Sequence, residues 1–186
     1  MMESLPTKLA ELWRDMEEVR ERTLDILSGL TGEEFASREG EEWSAAQILA
    51  HLLMAETGTS KVIRKAIKTA GTVPPYPAAD SDLSARILRT LPAGMKAPEA
   101  AEPGTPPGKE ELLRQARETR ERTAASFAML ASVDPRAATF PHPLFGELNV
   151  YEWPAMTILA HERDHQAQLL ALRSRLRQGT GKVSGS

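Results

Sequence analysis

No cysteine occurs in the 186 residues. Its absence excludes disulfides, thiolate metal sites, iron–sulfur clusters and a cysteine nucleophile. Aromatic residues are scarce, at 5%, which leans away from a β-rich fold. Basic residues are not in excess: 23 Lys and Arg stand against 26 Asp and Glu, for a formal net charge of −3. No overall positive field therefore recruits nucleic acid or an anionic membrane. No apolar run approaches 18 residues, so no spanning helix is expected. The start, Met1-Met2-Glu3-Ser4, lacks the basic and apolar regions of a signal peptide, and a cytoplasmic location is the default expectation.

What is present fits one ordinary globular domain. Apolar residues make up 41% of the chain, enough to bury a sizeable core. Four stretches repeat apolar residues with the 3.6-residue helical period. The first runs Leu5, Leu9, Leu12, Met16, Val19, Thr23, Ile26, Leu30, and the second Ile48, His51, Leu52, Ala55, Thr59, Val62. The third runs Leu113, Ala116, Thr123, Phe127, Leu130, and the fourth Ile158, His161, His165, Leu169, Leu172, Leu176. Boundary signals agree with this reading. Ser44 with Gln47 reads as a capping box, and Gly71 as the end of the second helix. Thr105-Pro106 reads as the start of the third helix. Asn149 with Glu152 can cap the fourth, with its regular part delayed by Pro154. No segment alternates convincingly with period two, so the expected class is all-α.

Between Thr72 and Gly108 lie eight of the thirteen prolines. Neither half of the chain has four helices of its own, so this segment reads as a crossover within one bundle rather than a linker between domains. A connection of that length makes the second and third helices parallel, giving an up-down-down-up four-helix bundle over residues 1–178. Residues 81–91 can form a short helix within the crossover. Residues 179–186 read as a flexible tail.

The chain also repeats itself. Glu42-Trp43-Ser44-Ala45-Ala46-Gln47-Ile48-Leu49-Ala50-His51 matches Glu152-Trp153-Pro154-Ala155-Met156-Thr157-Ile158-Leu159-Ala160-His161 at seven of ten positions. Upstream, Arg20-Glu21-Arg22-Thr23 recurs as Arg120-Glu121-Arg122-Thr123. Two related hairpins, about 3–71 and 105–178, are implied. In the proposed topology a pseudo-two-fold maps one hairpin on the other and brings His51 and His161 toward each other. The repeat breaks at His165, which lies opposite Ala55.

His161 and His165 are one helical turn apart on one face, a spacing that offers two nitrogens to one metal. His51 lies on an apolar stripe and supplies the third. A single histidine on such a stripe is more often a hydrogen-bonded core residue, but three of four histidines on two inward faces favour a metal site. Neutral imidazole suits Zn, Ni, Cu or Fe(II). The fourth histidine, His142, sits between two prolines and reads as a structural loop residue. His161-Glu162-Arg163-Asp164-His165 also fits H-E-x-x-H, in which the Glu serves a zinc peptidase as general base. No His, Asp or Glu follows His165 to complete such a site, and Glu162 reads as part of the solvated face. Gln168 can hydrogen-bond a ligand. Glu56 reads as marginal, and Trp43 and Trp153 as covers for the bundle ends. Thr23 and Thr123 are placed to bond their own helix backbones.

Trp43-Ser44 leading to His51, then Phe140-Pro141-His142-Pro143-Leu144-Phe145-Gly146-Glu147-Leu148 leading to His161-x-x-x-His165-x-x-Gln168, resembles the DinB-like (YfiT-like) superfamily. The resemblance spans nearly the whole chain and is most specific near its end. It implies an up-down-down-up bundle, a three-histidine divalent metal site at His51, His161 and His165, and a homodimer. The superfamily includes S-transferases that use low-molecular-weight thiols, a mycothiol-dependent isomerase and metal-dependent hydrolases. The expected function is thus a divalent-metal enzyme, with Zn, Ni or Fe at the site and a small-molecule substrate. Hydrolase and thiol S-transferase stay open, any thiol being supplied from outside. A non-catalytic metal- or ligand-binding module is the alternative, and a zinc peptidase the third choice.

Overall fold

The computed structural model describes residues 5–38, 40–84 and 101–181. Four long helices carry the fold. They are α1 (Thr7–Ser28), α3 (Ala45–Ala70), α4 (Lys109–Phe127) and α6 (His161–Gly181). A short α2 (Gly32–Ala36) follows α1, and α5 (Glu152–Pro154) leads through a π-helical turn (Ala155–Ala160) into α6. A hairpin of β1 (Thr139–His142) and β2 (Gly146–Asn149) joins α4 to α5.

Hydrogen bonds between the helices fix their directions. Ser60 meets Thr123, Arg64 meets Ser126 and Arg120 meets Glu56. Positions thus rise together on α3 and α4, which are parallel. On α3 and α6 they run oppositely: Glu42, just before α3, pairs with Arg175, His51 meets His161, and Thr59 meets Thr157. On α1 and α6 they rise together again, Arg20 with Glu162 and Thr23 with Gln166. The bundle is therefore up-down-down-up. Parallel α3 and α4 require the connection between them to begin and finish at opposite ends of the bundle. Near one end Asp80 accepts from the Lys8 backbone N–H at 3.0 Å, and near the other Gly104 O accepts from Gln47 at 3.3 Å.

The ends of α3 follow from the sequence. Ser44 and Gln47 form a reciprocal capping box, and Gly71 takes φ +68° at the C-terminus, where the absence of a Cβ removes the steric cost. Asn149 Oδ1 accepts from the backbone N–H groups of Tyr151 and Glu152, and Glu152 Oε2 accepts from that of Asn149. Regular α-helix resumes at His161 after the wide turn.

Two local expectations need correction. The third long helix starts at Lys109 with Gly108 as its N-cap, not at Thr105-Pro106. Pro107 disfavours helical geometry at Pro106 before it. The β-hairpin has no period-two signal because each strand is four residues long, one carries Pro141, and the turn closes on Gly146 at φ +71°. α2 is a single capped turn, its Thr31 and Glu34 forming a second capping box. The short helix expected over residues 81–91 falls largely outside the described residues. α6 runs on to Gly181, and residues 182–186 of the tail also lie outside them.

The core is divided. Leu9, Met16, Ile63, Phe127 and Ile158 belong to one apolar cluster. Leu27, Leu49, Leu52, Leu112 and Leu169 belong to another. Between them along every long helix lie buried polar side chains: Arg20 and Thr23, Glu56 and Thr59, Arg120 and Thr123, Glu162 and Gln166. Thr23 and Thr123 each donate to the carbonyl four residues back, at 3.0 and 2.9 Å.

Candidate metal centre

The histidines sit beside this polar layer. α3 presents His51, and the start of α6 presents His161 and His165 on one face. Their Nε2 atoms converge: His51 to His161 is 3.1 Å, and His165 to His161 is 3.1 Å. One ligand atom from each residue lies within 4.8 Å of the others. His51 and His165 are buried and His161 is half-buried.

Outer hydrogen bonds set which nitrogen faces inward. His51 Nδ1 lies 2.8 Å from the Ala101 carbonyl oxygen, an obligate acceptor. His165 Nδ1 lies 2.8 Å from Gln168 Oε1. With a proton on each Nδ1, the tautomer assigned from these acceptors, both Nε2 atoms carry lone pairs. His161 Nε2 can donate to one of them at most. At least one 3.1 Å contact therefore has no proton aligned between its two nitrogens, an arrangement that a cation relieves. Zinc–nitrogen bonds of about 2.05 Å at a tetrahedral angle place two nitrogens about 3.3 Å apart. The donor type, the two 3.1 Å separations and the outer acceptors fit a divalent metal.

Electrostatics keeps the rings neutral. Burial first, then the neighbouring His165 and His51, push the His161 pKa down to about 3. Burial and His51 push His165 down to about 4, against an opposing hydrogen bond from Gln168. Burial lowers His51 too, against the Ala101 carbonyl. Neutral imidazole is the form that binds a metal.

Trp43 belongs to the site rather than to a bundle end. Its ring lies 4.8 Å from that of His51 and stacks on His165 at 6.3 Å with an interplanar angle of 16°. Trp153, its repeat partner, is buried elsewhere and donates to the Phe140 carbonyl at 3.0 Å. His142 stays outside the cluster. It lies in β1, with its ring against Phe145 and Trp153.

Glu162 and Glu56 also depart from expectation. Both are 1% exposed. Glu162 Oε1 accepts from Arg20 Nε at 2.8 Å and its Oε2 from Arg20 Nη2 at 3.0 Å. A carboxylate engaged on both oxygens is poorly placed to act as a peptidase base. Charged residues in a helical sequence read as solvated by default. The available signal was the recurrence of Arg20 and Arg120 on inward stripes, each needing a buried anion.

Comparisons with known proteins agree with this fold. The sequence profile of the DinB superfamily matches residues 15–169. The uncharacterised protein YuaE of Bacillus subtilis (strain 168) is 27% identical over 161 residues, covering 86% of this chain and 95% of YuaE. A crystal structure of TT2238, a four-helix bundle protein, aligns with a TM-score of 0.57 at 21% identity, covering 89% of this chain and 98% of that one.

Proposed function

The chain belongs to the DinB superfamily, and from that membership and its histidine cluster we propose that it is a divalent-metal-dependent enzyme acting on a small molecule. The observation that carries this reading is the convergence of three neutral imidazoles through their Nε2 atoms, with the outer nitrogens of His51 and His165 meeting acceptors at Ala101 and Gln168. His51, His161 and His165 would hold the ion. A divalent ion bound there supplies a Lewis acid. Three neutral ligands leave its charge uncompensated by the protein, which favours an anionic or polarisable partner. Trp43 forms an aromatic wall beside His51 and His165. The chain has no thiol of its own, so a transferase reaction draws its thiol from solution, whereas a hydrolase needs none.

Elemental analysis of untagged protein is the direct test. His51→Ala and His165→Ala each reduce metal stoichiometry, while His142→Ala leaves it unchanged. Equal metal content in all three variants refutes the ligand assignment. Substrate panels run with and without added low-molecular-weight thiol then separate transferase from hydrolase. Turnover in neither panel, with chelation still lowering the melting temperature, supports a non-catalytic metal-binding module instead. No helix among the described residues is long and apolar enough to cross a membrane. A homodimer is the assembly we propose, measurable by sedimentation.

A further inference from the structure

The polar layer contributes one charged side chain from each long helix: Arg20 from α1, Glu56 from α3, Arg120 from α4 and Glu162 from α6. Arg20 Nη2 donates to Glu56 Oε2 at 2.8 Å and to Glu162 Oε2 at 3.0 Å. One nitrogen thus joins the two helices that carry the histidines. Arg120, its counterpart in the repeat, grips Glu56 through Nε at 2.8 Å and lies 3.9 Å from Glu162. It is tied to α1 as well, donating to the Met16 carbonyl at 2.9 Å.

Stability alone explains this arrangement poorly. Burying two carboxylates and two guanidiniums carries a desolvation penalty that packed apolar residues of similar size would avoid. Arg20 Nη1 is buried without a hydrogen-bond partner, which adds to the cost. What the four groups supply is position. Glu162 adjoins His161 in sequence, and Glu56 follows His51 by five residues, about 7.5 Å along a helix. Because α3 and α6 are antiparallel, sliding one against the other by a single residue, about 1.5 Å, separates His51 from His161. The same slide breaks the fork of Arg20 between Glu56 and Glu162.

We propose that Arg20, Arg120, Glu56 and Glu162 form a positioning clamp that sets the height and rotation at which α3 and α6 bring their histidines together. The inference rests on the metal-site reading above. It also accounts for the Arg-Glu-Arg-Thr echo, since its two leading arginines occupy equivalent posts in the two hairpins.

The test uses the full chain and Co(II) as the probe, with the ion's visible spectrum reporting ligand geometry independently of activity. Arg20→Met with Glu162→Met removes one charge of each sign and leaves Arg120 paired with Glu56. This double variant should melt cooperatively near the wild-type temperature, bind Co(II) at least about 10-fold more weakly and show an altered Co(II) spectrum. Arg20→Lys, which keeps the charge but loses the fork, should fall between the two. Should the double variant fail to fold, Arg20→Lys alone carries the test. Wild-type affinity and spectrum in the folded variants overturn the clamp while leaving the metal site standing. Failure of the wild-type protein to bind Co(II) overturns both.

Discussion

At the scale of single residues, the candidate site depends on groups that touch no metal ligand atom directly. Gln168 holds the outer nitrogen of His165 at 2.8 Å, so Gln168→Leu should weaken metal binding about 10-fold with little change in thermal stability, as a metal titration with a competing chelator would measure. The imidazoles also give the metal-free protein a defined pH response. An unfolded histidine takes up its proton near pH 6.5, whereas folded His165 and His161 do so near 4 and 3. Between those values the unfolded chain binds more protons. The stability contribution is therefore complete above about pH 6.5 and is lost as pH falls toward the folded values. Melting temperatures of chelator-treated protein should drop through that window, and His161→Phe should drop less steeply. The three histidines were legible in the sequence because imidazoles are rare and these occupy helical stripes. The burial of Glu56 and Glu162 was not, because a carboxylate looks the same in a string of letters whether it faces water or a guanidinium. Only the recurrent arginines carried a trace of it.

At the scale of elements, the most informative signals were terminal. Ser44 and Gln47 close the start of α3, directly after Trp43 and two turns before His51. Ser44→Ala should cost about 1 kcal/mol, or about 2–4 °C in melting temperature for a domain of this size, and calorimetry would measure it. The period of the apolar residues marked all four long helices. It missed the hairpin, whose strands are too short to show an alternation, and the Thr105-Pro106 signal misplaced the start of α4, where a Pro-Pro pair delays the first turn. The π-helical turn before His161 carries no sequence signature beyond Pro154, and its last residue, Ala160, directly precedes the first ligand of α6.

At the scale of the whole molecule, length and proline distribution were enough to choose the topology. A connection spanning the bundle forces α3 and α4 parallel, and that in turn sets the ligand-bearing α3 and α6 antiparallel. The sequence repeat pointed the same way, because antiparallel counterparts meet at their equivalent positions. A metal that joins helices from both hairpins stabilises the folded state by mass action. At about 100 times its dissociation constant it should add about 2.7 kcal/mol, so chelation should lower the melting temperature reversibly. His51→Ala protein should lose most of that response.

The carbonyl of Ala101 gives the molecule an unusual vulnerability. It belongs to the peptide backbone, so no exchange of side chain at that position can delete it. What can displace it is a change in the number of residues between Ala101 and the start of α4 at Lys109. Insertions or deletions there, far from any histidine in sequence, would be registered at His51 as a lost proton acceptor, and a ring free to turn over would no longer hold its lone pair toward its neighbours.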